Sequence, residues 1–440
     1  MDPAASSYLI VGSGVFGAST ALHLARRFPG ARITLVDRDH YDAPRRVAAS
    51  WDWNKVVRAD YSDITYARLA LEAQGLWRAD PLWQRFYHES GVVWISPGAF
   101  AQTVRDNFAA LGATPDASAC SVDEARGIYG GLFAGADYTA VREVHVNRSS
   151  GWAEAKEALQ STVAAAVALG VEYRVAQVAA VAFDMNEGAR GRCCGVTTAD
   201  GALLAADRVV LCSGAYTPKL LIDSDPTWGE LHAGGRILAA GVTEATAPLD
   251  EDERAVLEAM PIGINENPVQ RGCDVGCMPL PSLGAFKCWG QVFVRNTVTH
   301  PVTNEQLSAP PLQPDYKQWD VPAALQEDVS WALKSLFGDK FQGKKMENFR
   351  VCWEAVTPSD DFIVSPHPAC DGLFIATCGS FHGFKFLPVL GKYVVQMLCD
   401  ELAPDLQKQW AWDRELSSTE GNKKWPCKEL GDFIAEDSRE

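Results

Sequence analysis

Basic charge is scarce in this sequence. Forty Lys and Arg face 56 Asp and Glu, a net charge of −16 over 440 residues, and no basic run offsets the imbalance. Binding to nucleic-acid phosphates needs a positive surface, so that class of function is excluded. Long apolar runs are missing too, each being broken well short of the ~20 residues a membrane-spanning helix requires. Only a few polar residues precede the first apolar strand, which leaves no room for a secretory leader. The last residues, Asp437-Ser438-Arg439-Glu440, do not form a peroxisomal tripeptide. The expectation is therefore a cytoplasmic protein. Its twelve cysteines then read as reduced, mostly buried thiols and not as a disulfide framework. Cys273 and Cys277 lack a second pair at zinc-site spacing, so no metal is expected. No internal repeat is evident.

What is present is globular in character. Hydrophobic content of 47% and charged content of 22% suit a packed protein, and the length predicts two intimately associated domains. The apolar run Tyr8-Leu9-Ile10-Val11 leads directly into Gly12-Ser13-Gly14-Val15-Phe16-Gly17, and a helical pattern follows over 18–27. A strand, a G-x-G-x-x-G turn and a helix in that order form a dinucleotide cradle. Gly12 permits the turn, Gly14 lets a pyrophosphate approach the backbone, and Gly17 lets helix and strand pack closely. The next β-like run, 33–36, ends in Asp37, an acid placed to bind a ribose hydroxyl.

Further along, 48–60 reads as a polar and aromatic loop, 66–77 as a helix, and 92–95 as a strand. Residues 98–145 look irregular. An alanine-rich helix is expected from Gly151 to about Leu169, then a strand over 171–175, a hairpin around Asp200-Gly201, and an apolar strand ending in Ser213-Gly214-Ala215. Proline-rich β-like runs fill 222–340. The tail from 403 is poorly periodic. These patterns predict an α/β protein. A discontinuous Rossmann-like domain is built from 1–90, 146–221 and 341–402. A mixed-sheet substrate domain comes from 91–145 and 222–340, and 403–440 form an extension.

The second informative segment is the strand 373–378 followed by Gly379-Ser380-Phe381-His382-Gly383-Phe384-Lys385-Phe386, with Pro388 opening a helix. A glycine-bearing loop at a helix start offers amides to an anion or an electron-rich ring edge. His382 and Lys385 add side chains there.

Taken together, the chain resembles one flavoprotein family. The residues that carry the resemblance are Gly12–Gly17 with Asp37, Asp80-Pro81-Leu82 before Tyr87-His88-Glu89-Ser90-Gly91, and Gly151-Trp152-Ala153. Arg350-Val351-Cys352-Trp353, Phe362-Ile363-Val364 before His367-Pro368, and Gly383-Phe384-Lys385-Phe386-Leu387-Pro388 complete the set. The family comprises monomeric sarcosine oxidase, pipecolate and saccharopine oxidases, and the fungal fructosyl amino acid oxidases (amadoriases). The resemblance spans nearly the whole chain and is weaker over 98–145 and 222–280.

The resemblance implies FAD joined through its 8α-methyl carbon to the sulfur of Cys352. It implies flavin or nucleotide contacts from Gly12, Gly14, Val15, Phe16, Gly17, Asp37, Arg38, Ser50, Lys55, Val178, Gly214, Gly379, Gly383, Phe384 and Lys385. Lys287 matches the lysine that promotes reaction with oxygen, where a fixed charge in a dry site stabilises superoxide. Arg58 and Lys385 match the pair that binds the substrate carboxylate. His382 stands where amadoriases carry an arginine. Gln291 stands at a substrate contact that is glutamate in amadoriases, which disfavours a fructosyl-amine substrate. Trp51, Trp53, Trp289 and Phe381 suggest a bulky, aromatic substrate, with Asp60 as a contact for its hydroxyl or amine.

The implied reaction is oxidation of a secondary amine, an N-substituted or N-methyl α-amino acid, by a monomer acting on a small molecule and O₂. The alternatives are deglycation of fructosyl amino acids, a flavin dehydrogenase with another electron acceptor, and a non-catalytic flavin-binding protein.

Overall fold

A computed structural model describes residues 3–184, 191–266, 274–311, 318–420, 422, 424–426 and 428–437; Cys273 and Ser438 to Glu440 lie outside the described residues. The opening motif forms the strand Tyr8–Val11, a turn, and the helix Val15–Arg27. Gly12 holds a φ of +98°, and a Cβ on Gly17 would lie 1.8 Å from the Gly12 carbonyl oxygen. Both positions therefore need glycine, one for conformation and one for contact.

Six strands form the cofactor-type sheet, in the order Ile363–Pro366, Leu373–Thr377, Arg208–Leu211, Tyr8–Val11, Ile33–Asp37, Glu172–Val175. All neighbours are parallel except the first pair. Parallel strands bury both faces. One face carries the helix Val15–Arg27, which packs between Ala155–Ala168 and Leu390–Leu398. The other packs on a small antiparallel sheet of Val178–Phe183, Cys193–Thr198 and Leu203–Ala205, through Val11, Val36, Val181 and Val196.

A nine-stranded mixed sheet forms the second half of the molecule. Its path runs Glu347–Val356, Leu238–Pro248, Ala285–Arg295, Val275–Leu280, Ile262–Asn265, Val92–Ile95, Glu143–Asn147, Ala117–Ser121, and the ninth strand, Lys428–Glu429, pairs with Ala285–Arg295 off this path. The helix Ala323–Phe337 packs across it. The α/β class with a discontinuous Rossmann-like domain and a mixed-sheet domain matches expectation.

Several local expectations are corrected. The helix expected at Gly151 begins at Ala155, because Gly151–Glu154 is a strand between Asn54–Val57 and Tyr87–His88. A Cβ on Gly151 would sit 2.0 Å from the His88 carbonyl oxygen, so close strand pairing decides against helix. The same pairing turns part of the expected loop 48–60 into the strand Asn54–Val57. The region 98–145 is not irregular: it holds helices Phe100–Ala110 and Val122–Gly131 and strands Ala117–Ser121 and Glu143–Asn147. The strand Glu347–Val356, expected in the cofactor domain, pairs with Leu238–Pro248 in the mixed sheet. Pro388 precedes the helix Leu390–Leu398 without opening it. The tail contributes Pro404–Gln409, Leu430–Asp437 and the strand Lys428–Glu429, which pairs with Val294 and Arg295. Among the described residues, no helix is long and apolar enough to cross a membrane.

Candidate active site

The carboxyl ends of the parallel strands face the mixed sheet across a cavity of about 1320 Å³. Ligands of open α/β sheets bind at such strand ends. The volume exceeds the roughly 300–1,000 Å³ of ordinary small-molecule sites and so has room for a dinucleotide and a substrate. Every residue expected at the site lines this cavity except Gly17, Gln291, Cys352 and the tryptophans Trp51 and Trp53. Gly17 acts by packing. Gln291 does not line the cavity; its backbone N–H donates to Asp328 Oδ2 at 3.0 Å. Cys352 sits just behind the wall with Val242, Phe293 and Ala49, its sulfur 3.9 Å from Lys55 Nζ.

At the dinucleotide end, Asp37 Oδ2 accepts from Ser13 N (2.7 Å), Ser13 Oγ (2.9 Å) and Arg46 Nη2 (2.9 Å). Among the described residues its Oδ1 takes only the Asp39 N–H, at 3.1 Å, and retains acceptor capacity for a hydroxyl. Ser50 Oγ accepts from Val15 N at the start of the first helix. Arg46, missed in the sequence, is buried in the cavity wall, and its Nε and Nη1 have no partner among the described residues. An unpaired guanidinium edge beside a helix N-terminus and a glycine turn suits a diphosphate. These residues fit the adenine-dinucleotide portion of FAD.

Deeper in the cavity wall, five ionised groups form one buried cluster. Lys287 pairs with Asp52, and its Nζ lies 3.0 Å from Asn54 O and 3.3 Å from Glu244 Oε1. Lys55 Nζ reaches Asp52 Oδ2 at 2.7 Å and Glu244 Oε1 at 3.0 Å. Arg350 Nη2 reaches Glu244 Oε2 at 2.9 Å. Three cations thus share two carboxylates, an excess of one positive charge. Burial would raise the Asp52 carboxyl, but Lys287, Lys55 and Arg350 hold it well below its ordinary range. Burial lowers the Lys287 ammonium, against the pull of Asp52 and Glu244.

Asp52, Glu244 and Arg350 were not anticipated, since their partners are distant in sequence. The one available signal was a lone acid in the otherwise uncharged run Leu238–Pro248. Asp52→Asn should destabilise the protein by about 3–5 kcal/mol, because it leaves three buried cations facing a single carboxylate. Chemical denaturation of the flavin-loaded protein measures this.

The third group of residues surrounds Tyr61. The Arg58 guanidinium lies between the Trp94 and Tyr61 rings, 4.4 and 4.5 Å from their centroids, and donates to the Asp60 carbonyl. Lys385 Nζ stands 5.4 Å from the Tyr61 ring and donates to His382 O at 2.7 Å. Burial, Arg58 and Lys424 push its ammonium well down. Neither Arg58 nor Lys385 has a carboxylate within ion-pair distance among the described residues. Asp60 lines the cavity, yet its carboxylate is engaged by His145 Nε2 (2.6 Å), Asn147 Nδ2 (2.7 Å) and Ser150 Oγ (2.7 Å). That network fixes the 58–60 backbone.

His382 is equally committed. Its Nε2 lies 2.9 Å from the Asp360 carbonyl, which only accepts, so Nε2 carries the proton and Nδ1 accepts from Tyr61 OH at 3.1 Å. Burial holds the ring neutral, well below its ordinary pKa. Both His382 and Asp60 therefore position their neighbours. The loop that delivers them is strained, with positive φ at Cys378 (68°), Ser380 (45°) and Phe381 (59°), as functional loops tolerate. Of the four aromatic residues expected around the substrate, Trp289 and Phe381 line the cavity. Trp51 and Trp53 sit behind it near Arg350, and Trp94, Phe100 and Phe293 take their place.

The model of the FAD dependent oxidoreductase family matches residues 7–397. L-saccharopine oxidase of Schizosaccharomyces pombe is 28% identical, over 95% of this chain and 95% of that protein. Amino acid oxidase imqH of Aspergillus flavus is 29% identical, over 93% and 98%. Among solved structures, a modified fructosyl peptide oxidase from Aspergillus nidulans superposes with a TM-score of 0.82 at 24% identity, over 98% and 99%.

Proposed function

The chain belongs to the family of FAD-dependent oxidoreductases, and from that premise we propose that it oxidises the C–N bond of an N-substituted α-amino acid. The product is an imine, with O₂ reduced to H₂O₂. The observation that carries this reading is the pair Arg58 and Lys385, two cations lining one cavity without an ion-paired carboxylate among the described residues. Such a pair calls for an anionic ligand. The relatives named as saccharopine and amino acid oxidases support an amino acid as that ligand.

Bound FAD supplies the two-electron acceptor and the route to oxygen. The chain supplies placement. Arg58 and Lys385 hold the substrate carboxylate, the Tyr61 ring backs both cations, and Trp94, Trp289 and Phe381 cover the N-substituent and exclude water. The excess charge of the Lys287 cluster lies ready to stabilise reduced oxygen species. The imine is hydrolysed or captured by a nucleophile on the same molecule, which would close a ring.

Arg58→Gln should weaken substrate binding roughly 10- to 100-fold, the value of one charge-assisted hydrogen-bond pair, while FAD retention is unchanged. Saturation of anaerobic flavin reduction measures it. The reading itself is tested by anaerobic mixing with N-methyl, cyclic, saccharopine-like and fructosyl amino acids. Bleaching of the flavin by an N-alkyl or saccharopine-like member is expected, and bleaching by the fructosyl member alone would replace this reading with deglycation.

A further inference from the structure

Glu354 was not singled out by its sequence context and makes no ion pair with the carboxylate clamp or the Lys287 cluster among the described residues. It follows Cys352 by two residues on the strand Glu347–Val356, so both side chains stand on the same face of that strand. Glu354 lines the cavity. Its Oε2 accepts the Phe381 N–H at 2.8 Å, a donor presented by the strained loop. Its Oε1 has no donor among the described residues and lies where a side chain on residue 379 would go: a Cβ on Gly379 would be 2.1 Å away. Glycine at 379 therefore lets this oxygen pack against the loop, where any side chain would displace it. The neighbouring acids differ, since Asp52 and Glu244 are paired with cations and Asp60 is held by three donors.

Charged and titratable groups face Glu354 from several elements: Lys55 on the strand Asn54–Val57, Lys385 on the turn Phe384–Phe386, Lys424 on the returning tail, and the Cys378 thiol. Burial pushes the Glu354 carboxyl up, and the three lysines oppose that push. Arg58 and Lys385 line the same cavity as Glu354, so carboxylate and clamp share one chamber. An α-amino acid carries its ammonium one carbon from its carboxylate, and only the neutral amine can be oxidised.

We propose that Glu354 is the base that removes the proton from the bound substrate's ammonium group; this rests on the secondary-amine reading above. One N–H bond breaks, one O–H bond forms at Oε1, no electrons are exchanged, and the proton passes from Oε1 to solvent once the product has left.

The test uses Glu354→Gln, whose amide oxygen still accepts the Phe381 N–H. Retention of the flavin spectrum reports folding. With the panel member that bleaches the wild type, the anaerobic reduction rate of the wild type is expected to be level from about pH 7 to 9. The variant should be at least tenfold slower at pH 7 and should gain about tenfold per unit as the free ammonium, with a pKa of ~10, deprotonates. A variant profile parallel to that of the wild type overturns the proposal.

A second measurement does not depend on turnover. Phenylalanine betaine carries a permanent cation, and 2-(methylthio)-3-phenylpropanoate is its neutral counterpart. Glu354→Gln should weaken the betaine roughly tenfold by calorimetry and leave the thioether acid unchanged. Equal weakening of both would mark a structural role and end the proposal. If no panel member bleaches the wild type, the amine reading fails, while the betaine comparison still decides whether Glu354 faces the cation.

Discussion

Replacing Lys287 with methionine should slow the reaction of the reduced enzyme with O₂ by roughly 10²–10³-fold, the effect of deleting one preorganised charge from a dry site. Anaerobic reduction by substrate should change little. The expectation rests on charge arithmetic. Lys287, Lys55 and Arg350 oppose Asp52 and Glu244, so the cluster holds one positive charge in excess, and removing Lys287 leaves two cations on two carboxylates. The variant therefore loses the surplus charge without stranding an acid, and it should fold. This contrasts with Asp52→Asn, which unbalances the same cluster in the destabilising direction. Stopped-flow mixing of the reduced variant with oxygenated buffer gives the rate. An unaltered rate would remove the main support for an oxidase and favour a dehydrogenase that uses another electron acceptor.

We propose that FAD is joined to the Cys352 sulfur, so Cys352→Ala should abolish covalent flavin altogether. The wild-type protein is expected to carry its yellow colour into an acid precipitate, whereas the variant should release FAD to the supernatant. The Cys352 thiol is buried, which pushes its pKa up to about 11 against the pull of Lys55. A thioether link needs the thiolate, and the Lys55 ammonium 3.9 Å from the sulfur is the group placed to favour it. The remaining dinucleotide contacts, including Arg46 and the first helix, are untouched by the substitution, so FAD should still bind reversibly. A variant pellet that stays yellow would move the link to another residue.

Much of this architecture was legible in the sequence because it is local. The turn at Gly12–Gly17, the acid at Asp37 and the loop at 379–388 are each set by residues a few positions apart. Strands Asn54–Val57 and Gly151–Glu154 were not legible, since neither has a pattern of its own and each exists by pairing with the other. The same holds for the site. Arg58, Lys55, Asp60, Lys287 and Lys385 could be named from the family resemblance. The partners that hold two of them, Glu244 for Lys55 across 189 positions and His145 for Asp60 across 85, are set by tertiary structure. Glu354 gave no motif at all. Its role became visible only once Gly379 and the Phe381 amide were seen beside it.

The central claim is that a carboxylate-bearing amine is oriented by Arg58 and Lys385 for oxidation. It is tested most directly by comparing each amine that bleaches the flavin with its decarboxylated counterpart under anaerobic conditions. Bleaching by the amino acid and a loss of at least a hundredfold in efficiency for the decarboxylated amine are predicted, from two charge-assisted contacts. Equal rates for the two would contradict the account.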